Sequence, residues 1–152
     1  METSMNNSAA DSISTLNELL RGEMSAVETY AQALEKIEEP FMAREEVRRC
    51  QADHQSRVGV LKNAIVNLGG KPSESSGLWG TFAKMVEGGA KVLGSKMAIA
   101  ALEEGEDHGL ALYQKALKTL DLSSRALVDR DLFPGQQKTH EAVRGIKRIL
   151  DV

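Results

Sequence analysis

The sequence has little of what secreted, membrane-spanning or β-rich proteins use. Its 152 residues include one cysteine, Cys50, so no disulfide can form within the chain and a reducing compartment is favoured. Aromatic residues, which favour strands, make up only 4%, and prolines, which interrupt helices, number three. The chain has no apolar run of about 18 residues, and its start lacks the pattern of a secretory signal. We therefore expect a cytoplasmic protein.

Charge of one sign is also lacking. The net charge is −3 with both signs interspersed, so no nucleic-acid surface is expected. What the chain does contain is Ala, Leu, Glu, Lys and Met, the strong helix formers. This composition predicts an all-α protein, with residues 1–10 as a disordered leader and residues 11–152 as a single domain.

Apolar residues recur at alternating steps of three and four, which predicts four long helices. The first runs from Asp11 or Ser12 to Pro40, the second from Pro40 to Leu68, the third from Ser95 to Leu120, and the fourth from Ser123 to Leu150. Residues 71–94 form a long connection with a short amphipathic helix over 78–93. Pro134-Gly135 is expected to kink or split the fourth helix.

The third helix carries a carboxylate, Glu106, on its most apolar stripe, followed at helical spacing by Leu110 and Tyr113. Burying a carboxylate is costly unless another group neutralises it. The first helix repeats the pattern, because Glu23 and Tyr30 precede Glu106 and Tyr113 by 83 positions each (23 to 106, 30 to 113). The repeat predicts that the two carboxylates belong to one buried cluster.

A second repeat links the other two helices. Gln51 and His54 match Gln137 and His140 at an offset of 86 (51 to 137, 54 to 140). The chain therefore reads as two helix hairpins, each with Glu-x6-Tyr on its first helix and Gln-x-x-His on its second.

If the two hairpins pack face to face, the repeated polar residues meet at the middle of the bundle. They are Glu23, Gln51, His54, Glu106, Gln137 and His140. Carboxylate and imidazole groups suit iron, manganese or zinc, and residues three apart on one helix can bind the same ion. The sequence therefore predicts a metal site from these six residues, with Tyr30 and Tyr113 beside it.

This constellation resembles the ferritin-like superfamily, including bacterioferritins and rubrerythrins. The resemblance implies a ferritin-like four-helix bundle of two hairpins joined by a long crossover. It also implies a dimetal site built from a Glu on each of two helices and a Glu-x-x-His on each of the others. Glu23, His54, Glu106 and His140 carry over as ligands. The stop Leu68-Gly69-Gly70-Lys71-Pro72 and the stretch from Leu102 to Asp107 also look like an uncharacterised bacterial family of such bundles.

The chain departs from the family motif at Gln51 and Gln137, where the resemblance implies metal-bridging glutamates. The formal charge of the site falls from −4 to −2, enough to balance one divalent ion. A mononuclear site, a weak dinuclear site completed by Glu103 or water, and no metal at all remain open.

The leading interpretation is binding of iron or manganese in the bundle core, with the resemblance implying redox or oxidase chemistry on dioxygen or peroxide. The alternative is a non-catalytic, stress-related bundle with a metal-free polar core that acts in interaction or dimerisation. A third interpretation is a peripheral membrane protein that uses residues 78–93. No nucleophile or phosphate-binding motif is present. The sequence leaves open whether the protein is an enzyme. We expect a homo-oligomer, most simply a dimer.

Overall fold

A computed structural model describes residues 2–77 and 94–151, and both ranges are helical without strands. The elements are α1 (Glu2–Leu34), α2 (Phe41–Asn67), α3 (Ser95–Ala116), α4 (Leu122–Leu127), a π-helical turn (Val128–Leu132) and α5 (Phe133–Leu150). The short helix predicted over 78–93 lies outside the described residues. Within the described part of the chain, no helix combines the length and the apolar character needed to cross a bilayer.

The helix ends follow local sequence signals. Pro40 is the N-cap of α2, where its fixed φ suits the start of a helix. Gly69 has a φ of 83° and closes α2 with a left-handed residue, which side chains disfavour. At the other end of the chain, α1 begins at Glu2 and includes residues 2–10, since no proline or glycine interrupts the chain before Gly22.

Hydrogen bonds at the helix ends fix the direction of α3 relative to α1. Ser95 begins α3 and donates from Oγ to the carbonyl oxygen of Lys36, just beyond the end of α1, at 3.3 Å. At the opposite end, the backbone N–H of Asp121 donates to Oγ of Ser12, near the start of α1, at 3.1 Å. α3 therefore runs antiparallel to α1.

After α2, residues 73–76 run back along α1. The backbone N–H of Ser73 donates to Oδ1 of Asn17 at 2.8 Å, and the hydroxyl of Ser76 donates to the carboxylate of Glu28 farther along α1. α1 packs chiefly against α2, and α3 against α5. The prediction of an all-α bundle of four long helices is confirmed for the described residues.

The fourth long helix is neither split nor regular. α4 passes into α5 through the π-helical turn, in which the N–H of Phe133 donates to the carbonyl oxygen of Val128, five residues back. Pro134 follows in the first turn of α5, where its missing N–H costs least. The wider turn adds one residue to the helix, as π-bulges do, so the predicted split is replaced by a continuous helix with a π turn.

The core consists of two apolar clusters, one toward each end of the bundle. One contains Tyr30, Ala33, Ile37, Ala43, Val47, Cys50, Ala98, Ile99, Leu102, Val143 and Ile146. The other contains Leu16, Leu19, Leu20, Val58, Leu61, Ile65, Tyr113, Ala116, Leu120, Val128 and Leu132. Between them along the helices lies a layer of buried charged and polar side chains.

Candidate functional site

We call this buried set the polar layer, and every long helix contributes to it. Its members are Glu23 on α1, His54 and Arg57 on α2, Glu106 on α3, and Gln136 and Thr139 on α5. Each of these residues is at most 4% exposed. The layer is therefore an internal feature that depends on all four long helices packing together.

His54 lies at the centre of the polar layer and joins the two carboxylates. Its Nδ1 is 2.6 Å from Oε2 of Glu23, and its Nε2 is 2.6 Å from Oε1 of Glu106. The two ring nitrogens point in different directions, so each carboxylate contacts its own side of the imidazole. When both nitrogens are protonated, His54 is a cation that donates one hydrogen bond to each carboxylate.

Arg57, one helical turn after His54, supplies a second positive charge. Its Nε donates to Oε1 of Glu23 at 2.8 Å. Its Nη2 donates to Oε1 of Gln136 at 3.1 Å and lies 3.3 Å from the hydroxyl oxygen of Thr139. The same Nη2 is 2.8 Å from Nδ1 of His54, so the two cationic groups are adjacent. They are held together by the Glu23 carboxylate, which binds both.

Glu106 accepts hydrogen bonds on both carboxylate oxygens. Oε1 accepts from the hydroxyl of Tyr30 at 2.5 Å and from His54. Oε2 accepts from Nε2 of Gln136 and from the hydroxyl of Thr139, each at 2.9 Å. Four donors from three helices thus converge on one carboxylate, which leaves little capacity for a further ligand.

The two tyrosines cross between the hairpins. Tyr30 on α1 donates to Glu106 on α3, and Tyr113 on α3 donates to Oε1 of Glu23 on α1 at 2.8 Å. Each copy of the Glu-x6-Tyr repeat therefore places its tyrosine on the carboxylate of the other copy. The sequence places the tyrosines beside the site, and the structure gives each of them a carboxylate partner.

The charges in the layer shift one another's protonation. Burial opposes ionisation of Glu23, but the positive charges of His54 and Arg57 outweigh it and lower the pKa of Glu23 to about 2. Burial also opposes a charged His54, yet the Glu23 carboxylate and the hydrogen bonds to both carboxylates raise the pKa of His54 to about 9. At neutral pH two cationic groups, His54 and Arg57, therefore face the two carboxyl groups.

Burial, together with the neighbouring carboxylates, raises the pKa of Tyr30 and of Tyr113 well above the ordinary value of 10.0. Both phenols therefore stay neutral at physiological pH and serve as hydrogen-bond donors.

A small cavity opens between α1 and α3 beside the polar layer. Its volume is about 40 Å³, and its walls include Gly22, Ala26 and Gly109 together with the carboxylates of Glu23 and Glu106. This space has room for a few water-sized molecules.

The structure brings together three of the six candidate ligands. Glu23, His54 and Glu106 meet in the polar layer. Gln51 is partly buried and donates from Nε2 to the carbonyl oxygen of Val27 at 3.1 Å.

The two candidate ligands on α5 lie outside the polar layer. Gln137 is exposed, and His140 lies near the surface, where its Nε2 is 2.6 Å from Oδ1 of Asp107. The reason is rotation, because successive helical residues are about 100° apart. Gln137 and His140 each follow a core-facing residue by one position and so point away from the layer.

Three members of the polar layer went unpredicted: Arg57, Gln136 and Thr139. A signal for two of them was present, because counting back by four and three from Ile146 and Val143 leads to Thr139 and Gln136. His54 and Arg57 also precede Gln136 and Thr139 by 82 positions each (54 to 136, 57 to 139). These are the two pairs that meet in the polar layer. An arginine beside an apolar stripe gives no comparable signal, since it is usually solvated.

The residues of the polar layer do not fit a resident metal ion. A metal needs lone pairs aimed at one point, whereas the nitrogens of His54 serve carboxylates on different sides. The guanidinium of Arg57 occupies the Glu23 carboxylate and would repel a divalent cation. Within residues 2–77 and 94–151, no group of three His, Cys, Asp or Glu side chains has the arrangement of a metal site.

Comparison with known proteins gives one family. The model of a family described as a domain of unknown function, DUF2383, matches residues 11–119. The match covers the residues of α1 from Asp11 on and all of α2 and α3, and it stops short of α4. No curated protein and no solved structure matches the chain.

Proposed function

We propose that this chain, which belongs to the DUF2383 family, is a non-catalytic four-helix bundle that acts by association through its surface. Its polar layer is a metal-free network that holds the two hairpins in one register. The observation that carries this proposal is Arg57, whose guanidinium neutralises the buried Glu23. A core that already contains its own cations has no charge left for a metal to balance.

The closed hydrogen-bonding of the layer supports the same proposal. Both oxygens of Glu23 and both oxygens of Glu106 accept hydrogen bonds, and each tyrosine hydroxyl is engaged. A catalytic group needs a free donor, acceptor or lone pair facing a substrate. These side chains instead specify how the helices pair, as buried polar groups do where they fix a register.

Exposed apolar side chains support association with a second copy of the chain. Phe41 and Met42 at the start of α2 are 63% and 76% exposed. Met97 at the start of α3 and Ile149 at the end of α5 are also exposed, and all four belong to helix ends at the same end of the bundle. Val66 and Leu122 are exposed at the opposite end, so four of the six large exposed apolar side chains in residues 2–77 and 94–151 lie at this end. A group of exposed apolar side chains marks a surface that a partner covers. We propose that this end is the interface of a homodimer.

Sedimentation equilibrium over a range of protein concentrations tests the association. We expect the mass of a dimer for the wild type and the mass of a monomer for Phe41→Glu/Met42→Glu. The matched control is Leu122→Glu, because Leu122 is 80% exposed but begins α4 at the opposite end of the bundle. A wild type that stays monomeric up to about 100 μM, where weak specific dimers form, contradicts the proposed association.

A second candidate function is the one that the ferritin-like resemblance implies: binding of iron or manganese in the core, with redox chemistry on dioxygen or peroxide. The observation in its favour is that two carboxylates and one imidazole meet in a buried layer. For this function Arg57 would have to withdraw from Glu23 and His54 would have to lose its proton. Both changes remove hydrogen bonds that the layer already has, so we rank this candidate second.

Elemental analysis distinguishes the two candidates when the protein is purified without an affinity tag or chelator. The metal-free bundle predicts less than about 0.1 metal ion per chain and no change in Tm when iron, manganese or zinc is added. The second candidate predicts about one ion per chain and a higher Tm, because a ligand that binds only the native state stabilises it.

A further inference from the structure

The polar layer has the positional layout of a metal site in a four-helix bundle but a different set of side chains. Carboxylate-bridged metal sites in bundles use one glutamate from each of two helices and a pair three residues apart from each of the other two. Here α1 and α3 supply Glu23 and Glu106. The pairs three residues apart that face the core are His54 with Arg57 and Gln136 with Thr139.

We infer that Arg57 is an internal cation in the place of a divalent metal ion, and that replacing it with histidine converts the polar layer into a site for one transition-metal ion. The inference rests on the proposed function, because it takes the wild-type core to be metal-free. It adds that the layer binds a metal ion once this one side chain is replaced.

Charge is the first argument for this inference. A ligating His54 must be neutral, so the wild-type layer with a bound divalent ion would hold two carboxylates, the Arg57 cation and the metal, a net buried charge of about +1. In Arg57→His, two neutral imidazoles and two carboxylates would surround the same ion, and the charges would sum to zero. The guanidinium alone therefore accounts for the net positive charge that disfavours a bound divalent ion.

Space is the second argument. A Cβ on Gly135 would lie 2.9 Å from Nη1 of Arg57, so the helix α5 leaves room there for the long guanidinium side chain. The walls of the cavity of about 40 Å³ include Glu23, His54 and Glu106. Replacing arginine by the shorter histidine opens volume next to three side chains that ligate metals well, where an ion of about 2 Å bond length can be surrounded.

Helical geometry is the third argument. His54 and a histidine at position 57 would share one face of α2, as residues three apart do. The Glu23 carboxylate already contacts both positions, through Nδ1 of His54 and Nε of Arg57. One ion placed at this carboxylate is therefore within reach of both imidazoles after a change of side-chain rotamer.

The experiment adds Co²⁺ or Zn²⁺ to wild type, Arg57→His, Arg57→Gln and Arg57→Lys. We expect Arg57→His to take up about one ion per chain, to show the visible ligand-field absorption of Co²⁺ and to gain about 5–10 °C in Tm at a free metal concentration about 100 times its Kd. Arg57→Gln removes the charge without adding a ligand, so weaker uptake is expected. Arg57→Lys keeps a cation and should bind no metal, as should wild type. In Arg57→His/Glu106→Gln the uptake should fall at least about tenfold, since a carboxylate ligand is lost.

Each outcome decides the inference. Folded Arg57→His without metal uptake overturns it and leaves the proposed metal-free function standing. Equal uptake by wild type and Arg57→His overturns the proposed function as well. If Arg57→His folds only when metal is present, the inference is supported, because the ion then replaces the guanidinium. If Arg57→His and Arg57→Gln stay unfolded with and without metal, the ion cannot take the place of Arg57 and the inference is wrong.

Discussion

At the residue scale, one arginine balances the buried charges of this protein. Glu23, His54 and Glu106 by themselves would carry an excess of negative charge into the core, and a metal ion would be the simplest remedy. Arg57 supplies the missing positive charge and donates hydrogen bonds to side chains on α1 and α5. The same three ligand-type residues therefore form an ion-pair network instead.

Removing the guanidinium should be strongly destabilising. In Arg57→Met the Glu23 carboxylate keeps only His54 and Tyr113, and we expect a loss of about 3–5 kcal/mol in the free energy of unfolding, as for other buried pairs that lose one partner. The control Arg48→Met lies on the exposed face of the same helix and should change stability by less than about 0.5 kcal/mol. Urea unfolding measures both.

The double variant Glu23→Gln/Arg57→Met separates the ion pair from simple packing. Because both charges are removed, we expect it to be more stable than Arg57→Met alone. Additive losses from the two single changes would show that Glu23 and Arg57 are not coupled.

At the element scale, the π-helical turn decides which face of α5 meets the core. The buried positions Ser124, Val128, Leu132 and Gln136 follow one another at steps of four, one residue more than a regular helix allows over three turns. From Gln136 onward the steps alternate between three and four. The turn therefore acts as a one-residue insertion that keeps the two halves of the helix in phase.

Deleting Arg130, an exposed residue of the turn, should restore a regular helix with the same residues facing the core. The matched control deletes the exposed Lys138, which lies between Gln136 and Thr139 in regular helix. Both deletions are made in Pro134→Ala, because the proline ring would clash in an unbroken α-helix. We expect deletion of Arg130 to change the free energy of unfolding by less than about 1 kcal/mol. Deletion of Lys138 should lower it by more than about 3 kcal/mol, and urea unfolding measures both. Equal losses would argue against the insertion.

At the scale of the whole molecule, the polar layer sets how stability depends on pH. Glu23 has a folded pKa of about 2, below its ordinary 4.5, so its stabilisation is present above pH 4.5 and is lost as the pH falls toward 2. His54 has a folded pKa of about 9, above its ordinary 6.5, so its stabilisation is present below pH 6.5 and is lost as the pH rises toward 9.

We therefore expect maximal stability between about pH 4.5 and 6.5, with a loss of about 3 kcal/mol on each side, as a shift of roughly two pKa units or more implies. His54→Gln should remove the fall between pH 6.5 and 9. His140→Gln, outside the layer, should leave it in place. Urea unfolding across this range gives the profile, and stability that rises from pH 6.5 to 9 in wild type would contradict it.

The fold followed from local patterns, because helix formers, stop signals and the three-four spacing act between neighbours in the chain. The same spacing placed Glu23 and Glu106 on buried faces. It could not give the partners of these carboxylates, since hydrogen bonds such as Tyr30 to Glu106 join residues 76 positions apart. Residues 78–93 lie outside the described part of the chain, so the predicted short helix stays a prediction.

The sequence by itself determined the helices, the two hairpins and the buried pair of carboxylates with His54, because periodicity fixes which face of each helix is apolar. Only the tertiary structure decided that Gln136 and Thr139 face inward in place of Gln137 and His140. Val143 lies three positions after His140 and four after Thr139, so the sequence spacing allowed either pair to face inward. The structure also decided that Arg57 turns inward to Glu23, because an arginine is rarely buried unless a carboxylate pairs with it.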